Sequence, residues 1–183
     1  MQGYVATLIS SQVDGTALTN ITTATSILPG QAKYTLPSGF IAAAGNQLLV
    51  RASGRISTVV TTPGTLTLDL RIGSVIVANG GAMTLSTTVK TNVSWYLEWL
   101  LTARAVGSGT SANFMHQGDF TSEAAGATTV AGEAKTVMLP QSAPAVGTGF
   151  DSTAAAVFDM FATWSVANAS NSITCHQFEL VSL

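Results

Sequence analysis

Residues 65–72 have the sequence TLTLDLRI, in which every second residue from Leu66 to Ile72 is apolar and the others are polar or charged. Successive side chains of a β-strand point to opposite faces, so this alternation predicts a strand with one buried face. It makes a β-rich fold the starting hypothesis for the chain.

The segment before this strand predicts its partner. Residues 47–60 (QLLVRASGRISTVV) are rich in β-branched residues, and Gly54 in the middle predicts a bend or bulge. Thr62-Pro63-Gly64 then supplies residues typical of a turn. Residues 47–72 therefore predict a β-hairpin.

A third segment, residues 93–106 (VSWYLEWLLTARAV), repeats the alternation over a longer distance. Period two places Trp95 and Trp99 on one face and Tyr96 and Glu98 on the other. Glu, Leu and Ala also suit a helix, but the alternation and the flanking Asn, Gly and Ser favour a strand. We expect the tryptophan face to lie in the core.

Further strands are predicted along the chain, each from alternation between turn residues. They are 74–78, followed by a tight turn at Asn79-Gly80-Gly81; 112–121, with Phe114, His116 and Phe120 on one face and a bulge at Gly118; 136–139; 154–166, after a connection over 140–153; and 172–182, with His176, Phe178 and Leu180 on one face.

Eight or more strands without a convincing helix or internal repeat are typical of an all-β sandwich or barrel. Long strands with uneven loops favour an antiparallel two-sheet jelly roll over an immunoglobulin-like sandwich. A chain of 183 residues is expected to form one domain. Within it we distinguish an extended N-terminal strand and Thr-rich arm (1–37) from the sandwich body (38–183).

The composition indicates a surface that is occupied by neighbours. Charged residues make up 9% of the chain, against about 25% in ordinary soluble proteins, and the net charge is only -2. The seven Lys and Arg residues are scattered, without the basic run that would neutralise a line of phosphates. The sequence thus argues against a nucleic-acid partner and for burial of much of the surface.

Compartment signals are few. Cys175 is the only cysteine, which excludes an intrachain disulfide framework. The N-terminal MQGYVATLISS lacks the features of a signal peptide, and no apolar run approaches the roughly 18 residues that span a bilayer. We expect synthesis in a cytoplasm and no membrane insertion. The matches to the glycosylation pattern at Asn20, Asn92 and Asn168 are then expected to be unmodified.

Enzymatic chemistry is poorly represented. A metal site would need His116, Asp119 and His176 to converge, and the chain lacks the paired histidines of barrel metalloenzymes. Adjacent strand residues point to opposite faces, so Cys175 and His176 cannot form a nucleophile and base pair. We therefore predict no catalytic, metal or cofactor residues and expect the protein not to be an enzyme.

Two weaker alternatives involve sugars. Near pairs of carboxylates, Asp119 with Glu123 and Asp151 with Asp159, could serve a glycosidase but are more simply solvated charges. Exposed tyrosines could form a platform for carbohydrate binding, which leaves no clear mark in sequence. The candidates for that platform are Tyr4, Tyr34 and Tyr96.

The run from Gly54 to Phe120, together with DGTALTNITTATSILP at 14–29, resembles small jelly-roll virion proteins of tailed bacteriophages. The resemblance extends over most of residues 1–183 and rests on strands and turns. It implies a capsid decoration or cement protein on the outer capsid surface, often a homotrimer, that binds the major capsid protein. Alternatives are a tail, neck or head-fibre component that contacts the host, or a carbohydrate-binding module.

Two sets of residues are candidates for the interface. The Thr-rich, uncharged run in the arm could add a strand to the sheet edge of a partner, or pair only within its own domain. Arginines are suited to interfaces because their planar fork pairs with carboxylates. The candidates are Thr22, Thr23, Thr25, Ile27 and Leu28 in the arm, and Arg51, Arg55, Arg71 and Arg104 in the body.

Overall fold

The computed structural model of the protein describes residues 5–59, 61–126, 132–144 and 146–183. These residues form an all-β sandwich of two antiparallel sheets, as the sequence predicted. No helix in these ranges is long and apolar enough to cross a bilayer. The strands are β1 (Ala6–Ser10), β2 (Leu18–Thr19), β3 (Thr25–Ser26), β4 (Tyr34–Leu36), β5 (Gln47–Thr58), β6 (Thr65–Ile72), β7 (Val75–Thr84), β8 (Lys90–Ala105), β9 (Asn113–Ser122), β10 (Lys135–Leu139), β11 (Ala156–Trp164) and β12 (Ser172–Ser182).

Sheet A has seven strands in the order β1-β12-β5-β8-β9-β10, with β2 also on β12. Sheet B has five, in the order β3-β11-β6-β7, with β4 also on β11. The pairing is nested: β5 pairs with β12, β6 with β11 and β8 with β9, while β7 contacts β10. A long hairpin rolled into two sheets gives this order, which is the jelly-roll arrangement.

The core lies between the sheets and follows the predicted alternation. On β8, the inward residues from Trp95 to Ala103 are at most 2% exposed, whereas Tyr96 is 43% exposed. The buried indole groups keep hydrogen-bond partners: Trp95 Nε1 donates to two backbone oxygens, and Trp164 Nε1 donates to the oxygen of Leu18 at 3.3 Å. Sheet A therefore presents one face to the core and the other to solvent.

The predicted hairpin of residues 47–72 is wrong. β5 belongs to sheet A and β6 to sheet B, so the Thr62-Pro63-Gly64 segment crosses between sheets. Both segments are strands, as expected, but Val60 lies outside the described residues. The crossing is held by buried Asn171, whose Oδ1 accepts from Val59 N and whose Nδ2 donates to Pro63 O. The local sequence predicted the turn, but it did not predict that β6, the strand after the turn, belongs to the other sheet.

The predicted turn at Asn79-Gly80-Gly81 is also wrong. β7 continues through these residues with a shift in its register against β6. The tight turn lies earlier, at Gly73 and Ser74, between paired Ile72 and Val75. Gly73 has a φ of +60°, which glycine adopts without strain.

The bulge predicted at Gly118 is wrong. Gly118 lies in regular register with Trp99 and Leu139, and is required because a Cβ there would lie 2.8 Å from Trp99 Cγ.

Gly54 lies opposite a bulge in β12 between Cys175 and Gln177. That bulge breaks the predicted alternation of 172–182, since it places Cys175 in the core face with Phe178 and Leu180 and leaves His176 outside it.

The N-terminal segment is part of the sandwich. β1 and β2 pair with β12, whereas β3 and β4 pair with β11. The N–H of Ile27 donates to the oxygen of Met160 at 3.0 Å, and Ile27 and Leu28 are 0% and 5% exposed. These two candidates for an interface are therefore core residues of their own chain. Residues 1–4 of the proposed arm, including Tyr4, lie outside the described residues.

Candidate functional site: the outer face of sheet A

A row of charged residues crosses the outer face of sheet A. Strand register places Glu179 of β12 beside Arg51 of β5, Arg51 beside Glu98 of β8, and Glu98 beside Asp119 of β9. Ser10 on β1 and Met138 on β10 complete the row at the two edges. We call these six residues the charged row. Three carboxylates and one guanidinium give it a formal charge of -2, equal to the net charge of the whole chain.

Arg51 connects two of the carboxylates. Its Nε lies 2.8 Å from Glu98 Oε2, and its Nη1 lies 4.0 Å from Glu179 Oε2. Tyr96 donates its hydroxyl hydrogen to Glu98 Oε2 at 3.2 Å, and Thr7 donates to Glu179 Oε1 at 2.9 Å. The Arg51 hydrogen bond holds the pKa of Glu98 below its ordinary value.

Asp119 differs from its neighbours in this row. Its pKa is raised, first by burial and then by the negative charge of Glu98. No cation in the described part of the chain lies within ion-pair distance of Asp119. The end of the row nearest β10 is therefore negative and uncompensated.

A polar row flanks the charged row on one side, and a row that contains Leu49 and Leu100 flanks it on the other. On one side, Tyr96 lies in register with Ser53 and Thr121, and Gln177 and Thr136 extend that row to the neighbouring strands. On the other side, Leu100 lies beside Leu49 and Gln117. The exposed apolar side chains on this face are Tyr96 at 43%, Leu100 at 37% and Met138 at 48%.

Three shallow hollows indent the same face. One of about 390 Å³ lies between Arg51, Tyr96 and Phe178, and another of about 430 Å³ lies between Tyr96, Thr121 and Glu123. The exposed Tyr96 ring borders both. The third, of about 250 Å³, is lined by Glu98, Leu100, Gln117, Gly118, Asp119, Thr136 and Met138.

The arginine candidates are dispersed. Arg51 lies in the charged row, whereas Arg55 and Arg104 are exposed towards opposite ends of the sheet. Arg71 lies on sheet B, where it pairs with Asp69 and covers the Phe161 ring with its guanidinium carbon 3.9 Å from the ring centroid. Of the four arginine candidates, the structure thus places Arg51 alone in the charged row.

The threonine candidates lie away from this face, in the segment leading to sheet B. Thr22 and Thr23 are exposed in the connection before β3, and Thr25 pairs with Ala162 of β11. Thr25 Oγ1 donates to the backbone oxygen of Thr23 at 3.0 Å. The backbone of Thr25 is therefore engaged by its own chain.

The histidines and Asp119 are not brought together. His116 is buried, and its Nδ1 accepts a hydrogen bond from Trp99 Nε1 at 3.3 Å, whereas Asp119 lies on the outer face. His176 Nδ1 lies 2.8 Å from Asp14 Oδ1. Across the described ranges there is no group of three His, Cys, Asp or Glu residues that could hold a metal.

Burial raises the pKa of Cys175 to about 12, which leaves its thiol protonated.

The suggested carboxylate pairs are also separate. Glu123 pairs with the buried Lys90 at 3.3 Å, and Asp151 accepts from the hydroxyl of Thr153 at 2.6 Å. Asp159 lies under the N-terminal segment, where Lys33 and Ser26 contact it. Glu123, Asp151 and Asp159 each have a local structural partner.

The chain matches no protein family and no curated protein. Among solved structures, it is similar to the CBM2 module of the evolved Dit of Lactobacillus casei BL23 phage J-1, with 7% identity, a TM-score of 0.31 and coverage of 81% of this chain and 67% of that one. It is also similar to winged bean acidic lectin complexed with methyl-α-D-galactose, with 7% identity, a TM-score of 0.32 and coverage of 98% of each chain. Likeness of this degree assigns neither a family nor a ligand.

Proposed function

We propose that the protein is a non-enzymatic structural component of a tailed-phage virion, a capsid decoration protein that binds the major capsid protein through the outer face of sheet A. It is made in the host cytoplasm and acts on the outer capsid surface, as a homotrimer. The resemblance of the sequence to jelly-roll virion proteins supports the setting. The structure of the outer face supports the mode of binding.

The observation that carries the proposal is the combination of exposed apolar groups with the Arg51–Glu98 ion pair on the outer face of sheet A. Tyr96, Leu100 and Met138 offer exposed apolar area, and removing such area from water lowers the free energy of the complex. Arg51 and Glu98 already neutralise each other, so a partner that covers them does not bury two unpaired charges. Repeated burial of such faces around a capsid would stabilise the lattice without a chemical step.

A matched pair of variants tests the face. Leu100→Gln removes exposed apolar area from the outer face of sheet A, and Val157→Gln does the same on β11 of sheet B, where Val157 is 39% exposed. With empty capsids of the encoding phage, we expect Leu100→Gln to bind about tenfold more weakly and Val157→Gln to bind like the wild type. Equal binding by all three proteins would contradict the proposal, and light scattering would check for the trimer.

Carbohydrate binding is the second candidate function, because the Tyr96 ring stands between two hollows lined by hydroxyl and amide groups. An exposed aromatic ring beside hydrogen-bonding groups suits a sugar, which has apolar and polar faces. A tail, neck or head-fibre position would fit such an activity. A glycan array with wild type, Tyr96→Phe and Tyr96→Ala tests it: the ring-retaining variant should bind and the alanine variant should not.

A further inference from the structure

We propose that the 250 Å³ hollow beside Asp119 receives a cationic side chain, arginine or lysine, from the protein that docks on the outer face of sheet A. The inference rests on the proposed function and names the chemistry of the partner. We call the site the Asp119 hollow; the side chains that line it are those of Glu98, Leu100, Gln117, Asp119, Thr136 and Met138, and Gly118 completes the lining.

The charges around the hollow are unbalanced. Glu98 and Asp119 are direct cross-strand partners, and like charges in that relation destabilise a sheet. Arg51 lies on the far side of Glu98, where it is engaged by Glu98 and Glu179. A cation from outside the chain would approach Asp119 with no competing cation of the described residues in place. Burial and Glu98 both raise the pKa of Asp119, in agreement with a carboxylate that lacks its counter-charge.

The walls of the hollow suit the rest of such a side chain. Leu100 and Met138 are exposed apolar residues on β8 and β10, and they line the hollow together with the two carboxylates. Lysine and arginine have apolar stems that pack along such surfaces while the charged head reaches a polar partner. Gln117 and Thr136 offer further oxygen acceptors for the remaining N–H groups. The hollow thus matches both parts of one cationic side chain.

Small probes test the hollow without a capsid. We would titrate the full chain with N-acetyl-arginine amide, N-acetyl-lysine amide and N-acetyl-glutamine amide, and follow the backbone amide resonances of Gln117 and Thr136 by NMR. The two cationic probes should shift these resonances and the glutamine probe should not. Asp119→Asn should weaken the cationic probes about tenfold, whereas Glu133→Gln, at an exposed carboxylate before β10, should leave them unchanged. Equal shifts with the glutamine probe, or unchanged affinity in Asp119→Asn, would overturn the inference.

Capsid binding separates this inference from the proposed function. If Leu100→Gln weakens binding and Asp119→Asn does not, the docking face stands and the cationic side chain is refuted. If neither variant changes binding, both proposals fall. If both variants weaken binding, and Asp119→Asn also makes the affinity less sensitive to salt, the cationic side chain is supported.

Discussion

Glu98 and Asp119 lie directly opposite each other on β8 and β9, although both are acidic. Arg51, on the other side of Glu98, holds Glu98 at 2.8 Å and leaves Asp119 without a cation among the described residues. Such a pair lowers the stability of the sheet, because the two negative charges repel at short range. A site that carries this cost gains from a partner that supplies the missing positive charge.

The first prediction is that Asp119→Asn stabilises the folded protein at neutral pH, although it weakens binding of the proposed cationic side chain. The folded-state pKa of Asp119 is raised, so its charged form is less favourable in the folded than in the unfolded chain. This penalty is fully present above the folded pKa, decreases as the pH falls through it, and is absent below the ordinary aspartate value of about 3.9. Calorimetry should show a midpoint up to about 2 °C higher at pH 7 and little change near pH 3. A lower midpoint at pH 7 would contradict the account.

The second prediction concerns Arg51. Arg51→Met removes the hydrogen bond that is the largest cause of the lowered pKa of Glu98, so that pKa should rise. Carboxyl resonances followed by NMR through an acid titration would measure the change. Arg55→Met is the control, since Arg55 is an exposed arginine of the same strand without an ion pair in the described chain. An unchanged Glu98 titration in Arg51→Met would show that the ion pair is not formed in solution.

The sequence predicted the strands better than their connections. Alternation identified 65–72 and the tryptophan face of β8, because burial of one face requires period two wherever a strand lies on a core. It did not show that 62–64 crosses to the other sheet, because a turn motif is local whereas sheet choice depends on distant partners. The charged row was not predicted for the same reason. Glu179, Arg51 and Asp119 are brought into one row only by the register of strands that are far apart in the chain.

The third prediction tests the close approach at Gly54. A Cβ there would lie 1.9 Å from the backbone oxygen of Thr174 and 3.0 Å from Trp95 Nε1, both of which belong to neighbouring strands. Gly54→Ala should therefore destabilise the fold by about 3 kcal/mol, because β5 and β12 must move apart. Gly30→Ala is the control, as nothing lies within 4 Å of the added atom. Chemical denaturation of both variants measures the difference. Equal midpoints for Gly54→Ala and Gly30→Ala would contradict the close approach of β5 and β12 at Gly54.

The fourth prediction is that Cys175 resists thiol reagents until the protein unfolds. Its side chain is in the core and its Sγ contacts the oxygen of Gln177 at 3.2 Å, and burial raises its pKa to about 12 from an ordinary value of 9.0. The reactive thiolate is then about a thousandfold scarcer near neutral pH than for an ordinary cysteine. Iodoacetamide at pH 8, followed by mass spectrometry, should label the native chain slowly and the chain in guanidinium chloride completely. Complete labelling of the native chain within minutes would mean that β12 opens locally, and the bulge beside Cys175 would then be the place where the sheet separates first.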